Sequence, residues 1–334
     1  MSNILISQSL PFYLQTTAIP NSTKVIPAGD YVLAKVSFAK KAQKLPAKYP
    51  SIQVGLPLLT DAYTEYWLSN VPVEYGSYAS IQYSYNQDVL VGHILLDEAD
   101  YPDLKIATQF AYQHIFELQA ALAYPALLRI WNYFPAITAT QTQYNRYQQF
   151  CLGRQAAIDE FKQFAYAPPA ATAIGTQQAG LQIYFIAARS PGTQLENPRQ
   201  TSAFLYPKQY GPVSPAFSRA TFKAWSVAQH LYISGTTSIV GHQTVHVGKP
   251  LKQLDETLAN LEALLQHGQH TLDLAINQVA QLSQLKVYIH DPTYFPAIKT
   301  RLDTYLQGTN VPVLYLQGDV CRADLMVEME GIYA

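Results

Sequence analysis

The sequence predicts an α+β fold of two similar halves, each a mixed sheet with helices packed on one face. Two observations carry this. Apolar residues spaced three and four apart alternate along the chain with short apolar runs bounded by turn residues, as in helices laid on strands. The five residues Tyr133-Phe134-Pro135-Ala136-Ile137 recur as Tyr294-Phe295-Pro296-Ala297-Ile298, each copy directly after a strand that follows an amphipathic helix. At 334 residues the chain exceeds the usual size of one domain, so a division into 1–210 and 211–334, near Gly211, is expected.

In the first half, Val89 to Leu96 reads as a strand. Leu104 to Leu122 reads as a helix carrying Phe110, Ile115 and Leu118, and Ala126 to Asn132 as a second strand. A helix from Tyr144 to Phe164 and strands from Leu181 to Ala188 and Ser202 to Pro207 complete it. The Pro/Ala-rich stretch from Tyr166 to Gly175 is a rival linker, but a boundary there leaves two strands without partners. In the second half, Phe217 to Trp225 and Gln229 to Ser234 are strands around a turn, and Ser234-Gly235-Thr236-Thr237 is a loop. Leu251, Leu254, Leu258, Leu261 and Leu265 give a helix one leucine face, and Leu285 to His290 is a buried strand. Thr293 starts a helix that tolerates Pro296 in its first turn and turns Ile298, Leu302 and Leu306 inward. Strands Val311 to Gln317 and Leu325 to Tyr333 close the unit.

Composition narrows the function. Only 13% of residues are charged, and Lys plus Arg (22) nearly balance Asp plus Glu (23), so no basic surface for nucleic acid is implied and a small neutral or anionic ligand fits better. Cys151 and Cys321 are the only cysteines, too few for a disulfide framework and not spaced as a metal knuckle, which points to reduced thiols. The start, Met1 to Ile6, has no basic leader, and no run of about 18 apolar residues follows, so a soluble cytoplasmic protein without membrane contact is expected. The 25 tyrosines suit packing, or a pocket for a planar ligand. No GxGxxG, GxxxxGK[ST] or GxSxG pattern is present, which disfavours nucleotide cofactors and serine-hydrolase chemistry.

The segment from Cys321 to Tyr333 carries the strongest chemical signal. Val327 and Met329 alternate with Glu328 and Glu330, so a period of two sends both carboxylates to one face. Held in a cleft, such a glutamate stays protonated and serves as a proton donor; on a half-solvated edge strand, the alternative, both lie in water. Between Arg199 and Arg219, cations, tyrosines including Tyr206, and turn residues interleave, which suits a pocket for carboxylates or a solvated connection with snorkelling arginines. Arg146 and Arg154 lie about two turns apart on a helix, either able to reach a cleft. Arg322, adjacent to Cys321, lowers the thiol pKa if its guanidinium faces the sulfur; otherwise Cys321 is a small filler. His242 and His246 stand four apart, but Gly241, Gly248 and Pro250 argue for a loop without acidic residues, so no metal site is expected. His267, His270 and His290 read as surface or capping residues.

From Pro215 to Ala334 the chain resembles the Rid (reactive intermediate deaminase) fold. The resemblance rests on Phe217-Ser218-Arg219-Ala220, Leu231 to Gly235, the Gln253 to Leu265 helix and Val327-Glu328-Met329-Glu330-Gly331. The whole chain resembles the chorismatases, a cofactor-independent family built from two Rid-like halves that removes pyruvate from chorismate. That resemblance rests on Trp131-Asn132-Tyr133, Tyr147 to Arg154, Glu196-Asn197-Pro198-Arg199, Tyr206 to Arg219, Ile233 to His242, and Leu316 to Arg322 running into Glu328. It covers roughly Trp131 to Gly331.

The resemblance implies two Rid-like (chorismate mutase-like) sandwich domains, chorismate as substrate and no cofactor. It makes Glu328 the catalytic acid, and Gly235 and Cys321 the positions that distinguish product types. Members forming the dihydrodiol carry alanine at both, whereas hydroxybenzoate formers carry this chain's glycine and cysteine, implying 3-hydroxybenzoate, alone or mixed with 4-hydroxybenzoate. Cys321 then assists the last step as nucleophile or proton relay. Arg154, Arg199, Tyr206, Arg219, Gly235 and Thr236 are the expected substrate-binding residues. Chorismate hydrolysis to the trans-3,4-dihydrodiol and a Rid-type imine or enamine deaminase stay as alternatives, as does a non-catalytic sensor of aromatic acids. Against the deaminase, the Rid strand that begins Pro-x-Arg here runs Pro312-Val313-Leu314, and leucine cannot replace the carboxylate-binding guanidinium.

Overall fold

The computed structural model describes residues 12–17, 26–162 and 167–334. The opening Met1 to Ile6, the expected helix end at Phe164, and Tyr166 lie outside the described residues. A five-stranded sheet comes first: β1 (Tyr13–Thr17), β2 (Tyr31–Phe38), β3 (Gln43–Lys44), β4 (Ser51–Val54) and β5 (Thr64–Ser69), ordered β1-β5-β2-β4-β3. The sequence reading placed no element there. Buried Glu65 and Ser69 interrupt the apolar signal of β5, because this strand contributes a charge to the interior.

The first half follows with β6 (Glu74–Tyr78), β7 (Ile81–Tyr85), β8 (Val89–Leu96), α1 (Leu104–Leu122), β9 (Ala126–Pro135), α2 (Arg146–Glu160), β10 (Ala170–Thr176) and β11 (Leu181–Ala188). The second has β12 (Thr193–Leu195), β13 (Ala220–Ala224), β14 (Gln229–Ile233), the short β15 (Thr236–Thr237), β16 (Ile239–Val240) and β17 (Gln243–Thr244), then α3 (Pro250–Leu272), β18 (Gln284–Ile289), α4 (Phe295–Tyr305), β19 (Val313–Gln317) and β20 (Val327–Tyr333). The sheet orders are β10-β9-β11-β8-β7-β6 and β12-β13-β14-β20-β18-β19. Leaving out edge strands β6 and β12, the two are the same path: a hairpin, a helix, a strand, a second helix, a parallel neighbour and a closing antiparallel strand. The predicted α+β repeat is therefore present.

The recurring five residues do not mark it, however. Tyr133, Phe134 and Pro135 finish β9, whereas Phe295 and Pro296 open α4. The second copy follows Asp291-Pro292, where the Asp291 side chain accepts from the Thr293 amide and starts a helical turn, two residues before the expected Thr293. Two local readings need adjusting. The stretch set aside as a rival linker contains β10, where no strand was expected, disguised by alanines and a glycine that allow close approach: a Cβ on Gly175 would sit 2.7 Å from Asp319 Cβ, and the two backbones exchange hydrogen bonds of 2.8 and 3.0 Å. Ser202 to Pro207 is a short 3₁₀ turn at Ala203–Leu205, closed by local bonds such as Leu205 N–H to Ser202 C=O at 2.9 Å.

Strand alternation sorts the interior into three compartments. Leu127, Ile130 and Phe134 of β9 meet α1 and α2, and Val327 and Met329 of β20 meet α3 and α4. The opposite faces, with Leu128, Trp131 and Tyr133 of β9 and Ile332 of β20, join Leu33, Val36 and Trp67 of the N-terminal sheet in a shared core. Several tyrosines pack there, Tyr133, Tyr184 and Tyr288 among them, and the Tyr133 and Tyr288 hydroxyls are 3.3 Å apart. The leucine face of α3 is Leu254, Leu258, Leu261, Leu264 and Leu265, whereas Leu251 in the first turn is exposed, short of the sheet. Among the described residues no helix is long and apolar enough to cross a membrane.

Leu261 is fully buried on that face, so Leu261→Ala should cost about 2–5 kcal/mol in urea unfolding through lost burial and a residual cavity. A loss below about 1 kcal/mol would mean that this face is not packed as described.

Candidate active site

The site grows from β20, whose inward face presents Glu328 and Glu330. The half-solvated alternative does not hold, since the two residues are 3% and 1% exposed and β20 is flanked by β14, β15 and β18. Their fates differ. Glu330 accepts from Arg129 Nη2 (2.8 Å), Trp131 Nε1 (2.7 Å) and Thr172 Oγ1 (2.6 Å), and Lys286 Nζ lies 3.3 Å away. Lys286 also meets Glu65 Oε1 at 3.0 Å. Burial pushes the Glu330 carboxyl up, but Arg129 and Lys286, with the bonds from Thr172 and Trp131, outweigh it and hold it below the usual carboxylate range. Burial pushes Glu65 up too, opposed by Lys286.

Glu328 has no hydrogen-bond partner among the described residues, and its carboxyl borders a small cavity. Asn132, Tyr147, Arg154, Ala171, Thr172, Ala173, Phe217, Gly235 and Cys321 complete the wall, so both halves contribute. Burial first, and the Glu330 charge second, raise Glu328 well above the ordinary glutamate value, with Arg129 opposing. Both effects favour the protonated carboxyl. Gly235 lies against it: a Cβ there would overlap Glu328 Oε1, so only glycine admits this side-chain position.

Arg154 reaches the wall from α2 and is buried, with its Nε unpartnered. It also belongs to the mainly apolar wall of a larger cavity of about 770 Å³. Arg219 donates to Thr201 C=O (2.7 Å) and Tyr206 Oη (2.9 Å), and its guanidinium carbon is 5.3 Å from the Phe217 ring centre. Arg219 and Tyr206 reach the cavity only through Phe217, and the remaining expected residues stand back from it too. Arg199 is paired with Glu256 (2.5 Å) and Asn260 (2.7 Å), and Thr236 Oγ1 bonds to Ser234 C=O (2.9 Å). Arg146 is tied to Glu98 (2.6 Å).

At Cys321 the expected lowering by Arg322 is present but outweighed. The guanidinium donates to His242 C=O (2.9 Å) and stacks 4.0 Å from the Tyr210 ring centre, leaving burial and then Glu328 to push the thiol up to about 12. Cys321 is a thiol, not a thiolate. His242 bonds to the Tyr210 hydroxyl (3.0 Å), and His246 to Glu256 (3.1 Å).

Sequence reasoning missed Thr172 because no strand was expected over the Pro/Ala-rich stretch that holds β10, and missed Arg129, which carries no motif signal. Asn132 and Tyr147 lay within stretches that carried the family resemblance, without a role assigned.

Residues 65–187 match the family described as FkbO/Hyg5-like chorismatase, N-terminal. A 3-hydroxybenzoate synthase from Streptomyces hygroscopicus is 32% identical over 326 residues, covering 92% of this chain and 93% of the relative. The chain belongs to the chorismatase family. A chorismatase from Streptomyces rapamycinicus is 34% identical over 281 residues, covering 82% of this chain and 83% of that one. A chorismatase crystal structure superposes with a TM-score of 0.89 at 30% identity, covering 98% of this chain and all (100%) of the other. In this chorismatase-family chain, Leu314, at the Pro-x-Arg departure, is fully buried in the shared core and offers a ligand nothing.

A carboxyl neutral in the fold but ionised in the unfolded chain stabilises fully only below its unfolded value, near 4.5, and that contribution is lost as pH rises toward the raised folded value. Glu328→Gln should therefore gain on the parent by about 1.4 kcal/mol for each pH unit in that window. Thermal unfolding at pH 5, 6, 7 and 8 reads the difference, and a constant gap would show that Glu328 titrates as an ordinary glutamate.

Proposed function

We propose that this chain converts chorismate to pyruvate plus 3-hydroxybenzoate, alone or with 4-hydroxybenzoate, using Glu328 as the acid that protonates the enolpyruvyl methylene. The observation that carries the proposal is a buried carboxyl, free of partners, beside a guanidinium in a wall formed by both halves. The relatives' names, 3-hydroxybenzoate synthase and chorismatase, support the substrate. Proton transfer to the terminal carbon turns the vinyl ether into an oxocarbenium ion, and attack by the neighbouring ring hydroxyl followed by loss of pyruvate leads to the aromatic acid. Atoms balance without added water, whereas the dihydrodiol consumes one water molecule.

General acid catalysis contributes on the order of 10²- to 10⁴-fold, so positioning in the cleft supplies much of the rest. In this reading Arg154 pairs with a substrate carboxylate through its free edge, and Arg219 with Tyr206 steadies the wall at Phe217 or meets the second carboxylate. Arg199 acts at one remove: it holds Asn260, whose amide donates to Thr237 C=O (3.0 Å) and Ile239 C=O (2.9 Å) beside the acid. Thr236 shapes the same edge. Cys321, protonated, serves as a proton relay for aromatisation rather than as a nucleophile. Gly235 keeps the acid in place. The division 1–210 and 211–334 accompanies this reading, with β12 crossing to pair with β13. Two unpaired cysteines agree with a cytoplasmic setting.

Incubation with chorismate, with pyruvate measured and the acids separated chromatographically, tests the reading. Glu328→Gln should lower pyruvate release by about 10²-fold or more while the fold persists, and near-normal turnover would remove Glu328 from the mechanism. Cys321→Ala combined with Gly235→Ala should divert product toward the dihydrodiol, and an unchanged aromatic product would contradict the partition.

A further inference from the structure

Glu328 and Glu330 lie two residues apart on one face of β20, so their backbones are separated by about 6–7 Å. One carboxylate is saturated with donors and the other has none, and only the second borders the cavity. A purely structural ion cluster would need no tie to the reacting region, yet this one is joined to it by a hydrogen-bonded path. Thr172 Oγ1 donates to Glu330 and accepts from Arg129 Nη2 (2.6 Å) and from the Gly235 amide (3.0 Å). Gly235 is in turn the residue against which the Glu328 carboxyl rests.

We propose that Glu330 is the positioning residue for proton transfer: its locked carboxylate fixes the charge state of Glu328 and, through Thr172, the backbone of Gly235 that borders the acid. The inference rests on Glu328 as the proton donor. The surrounding groups are Arg129 and Tyr133 from β9, Lys286 and Tyr288 from β18, Glu65 from β5, Tyr184 from β11, and Arg154, Tyr147 and Cys321 at the cavity. Within the cluster Arg129 and Lys286 balance Glu65 and Glu330, so it holds no spare cation for an ionised Glu328; Arg154, across the cavity wall, is left for an anionic ligand. The cluster thereby favours a neutral acid over an ion.

Three variants test this by sign. Glu330→Gln should move the alkaline limb of the kcat/KM profile for chorismate to lower pH by one unit or more, Arg129→Met should move it upward, and the double variant should return within about half a unit. An infrared difference spectrum of each protein against its own Glu328→Gln counterpart reads the protonated carboxyl without substrate and should follow the same order. Thr172→Val should leave the limb in place while shifting product toward the dihydrodiol, because Gly235 loses its tie. A Glu330→Gln enzyme that slows without moving limb or band would make Glu330 merely structural, and an unchanged product ratio in Thr172→Val would remove the Gly235 arm. If a single variant fails to fold, the charge-balanced double variant decides, and a displaced limb in it overturns the inference. Turnover retained in Glu328→Gln would instead sink the acid assignment itself, a result distinct from an inactive Glu328→Gln with an immobile limb.

Discussion

The architecture depends on one buried electrostatic junction, where Glu330 meets Arg129, Lys286 and Thr172 and Lys286 reaches on to Glu65. These groups come from β20, β9, β18, β10 and β5, so each of the three large sheets sends a polar side chain to one point inside an otherwise apolar core. Such a junction adds little net stability, because desolvation offsets most of the attraction, but removing one member leaves an unpaired charge that costs several kcal/mol. It therefore specifies how the sheets come together.

The same junction separates two carboxyls of identical chemistry. Glu330 is given donors, which favour its ionised form; Glu328 is given burial and a cavity, which favour its protonated form. Environments can push two like groups apart in this way without unusual residues. Cys321 follows the same rule, since burial beside Glu328 outweighs the nearby guanidinium.

Much of this was legible in the sequence. Val89–Leu96, Leu104–Leu122 and Leu181–Ala188 coincide with their predicted limits, because uninterrupted apolar periodicity and clear flanking breaks mark them. The pairing of Glu328 with Gly235 and Cys321 came from family resemblance, and the geometry brings the three together. What escaped notice was β10, whose alanines give a strand no bulk to announce it, and the N-terminal sheet, whose β5 carries a buried glutamate that hides its apolar character. The repeat was inferred correctly from the wrong sign: five matching residues fall on a strand end once and a helix start once, while the real correspondence lies in strand order, which no local match reveals.

The doubled architecture is also lopsided. The strand of the first half that corresponds to β20 is β11, Leu181-Gln182-Ile183-Tyr184-Phe185-Ile186-Ala187-Ala188, and it carries no carboxyl. Among the described residues the buried Glu328 carboxyl and its cavity therefore occur once per chain, the first half supplying part of the wall. On the proposed function, a tight-binding inhibitor should saturate the protein at one equivalent per chain despite the internal symmetry.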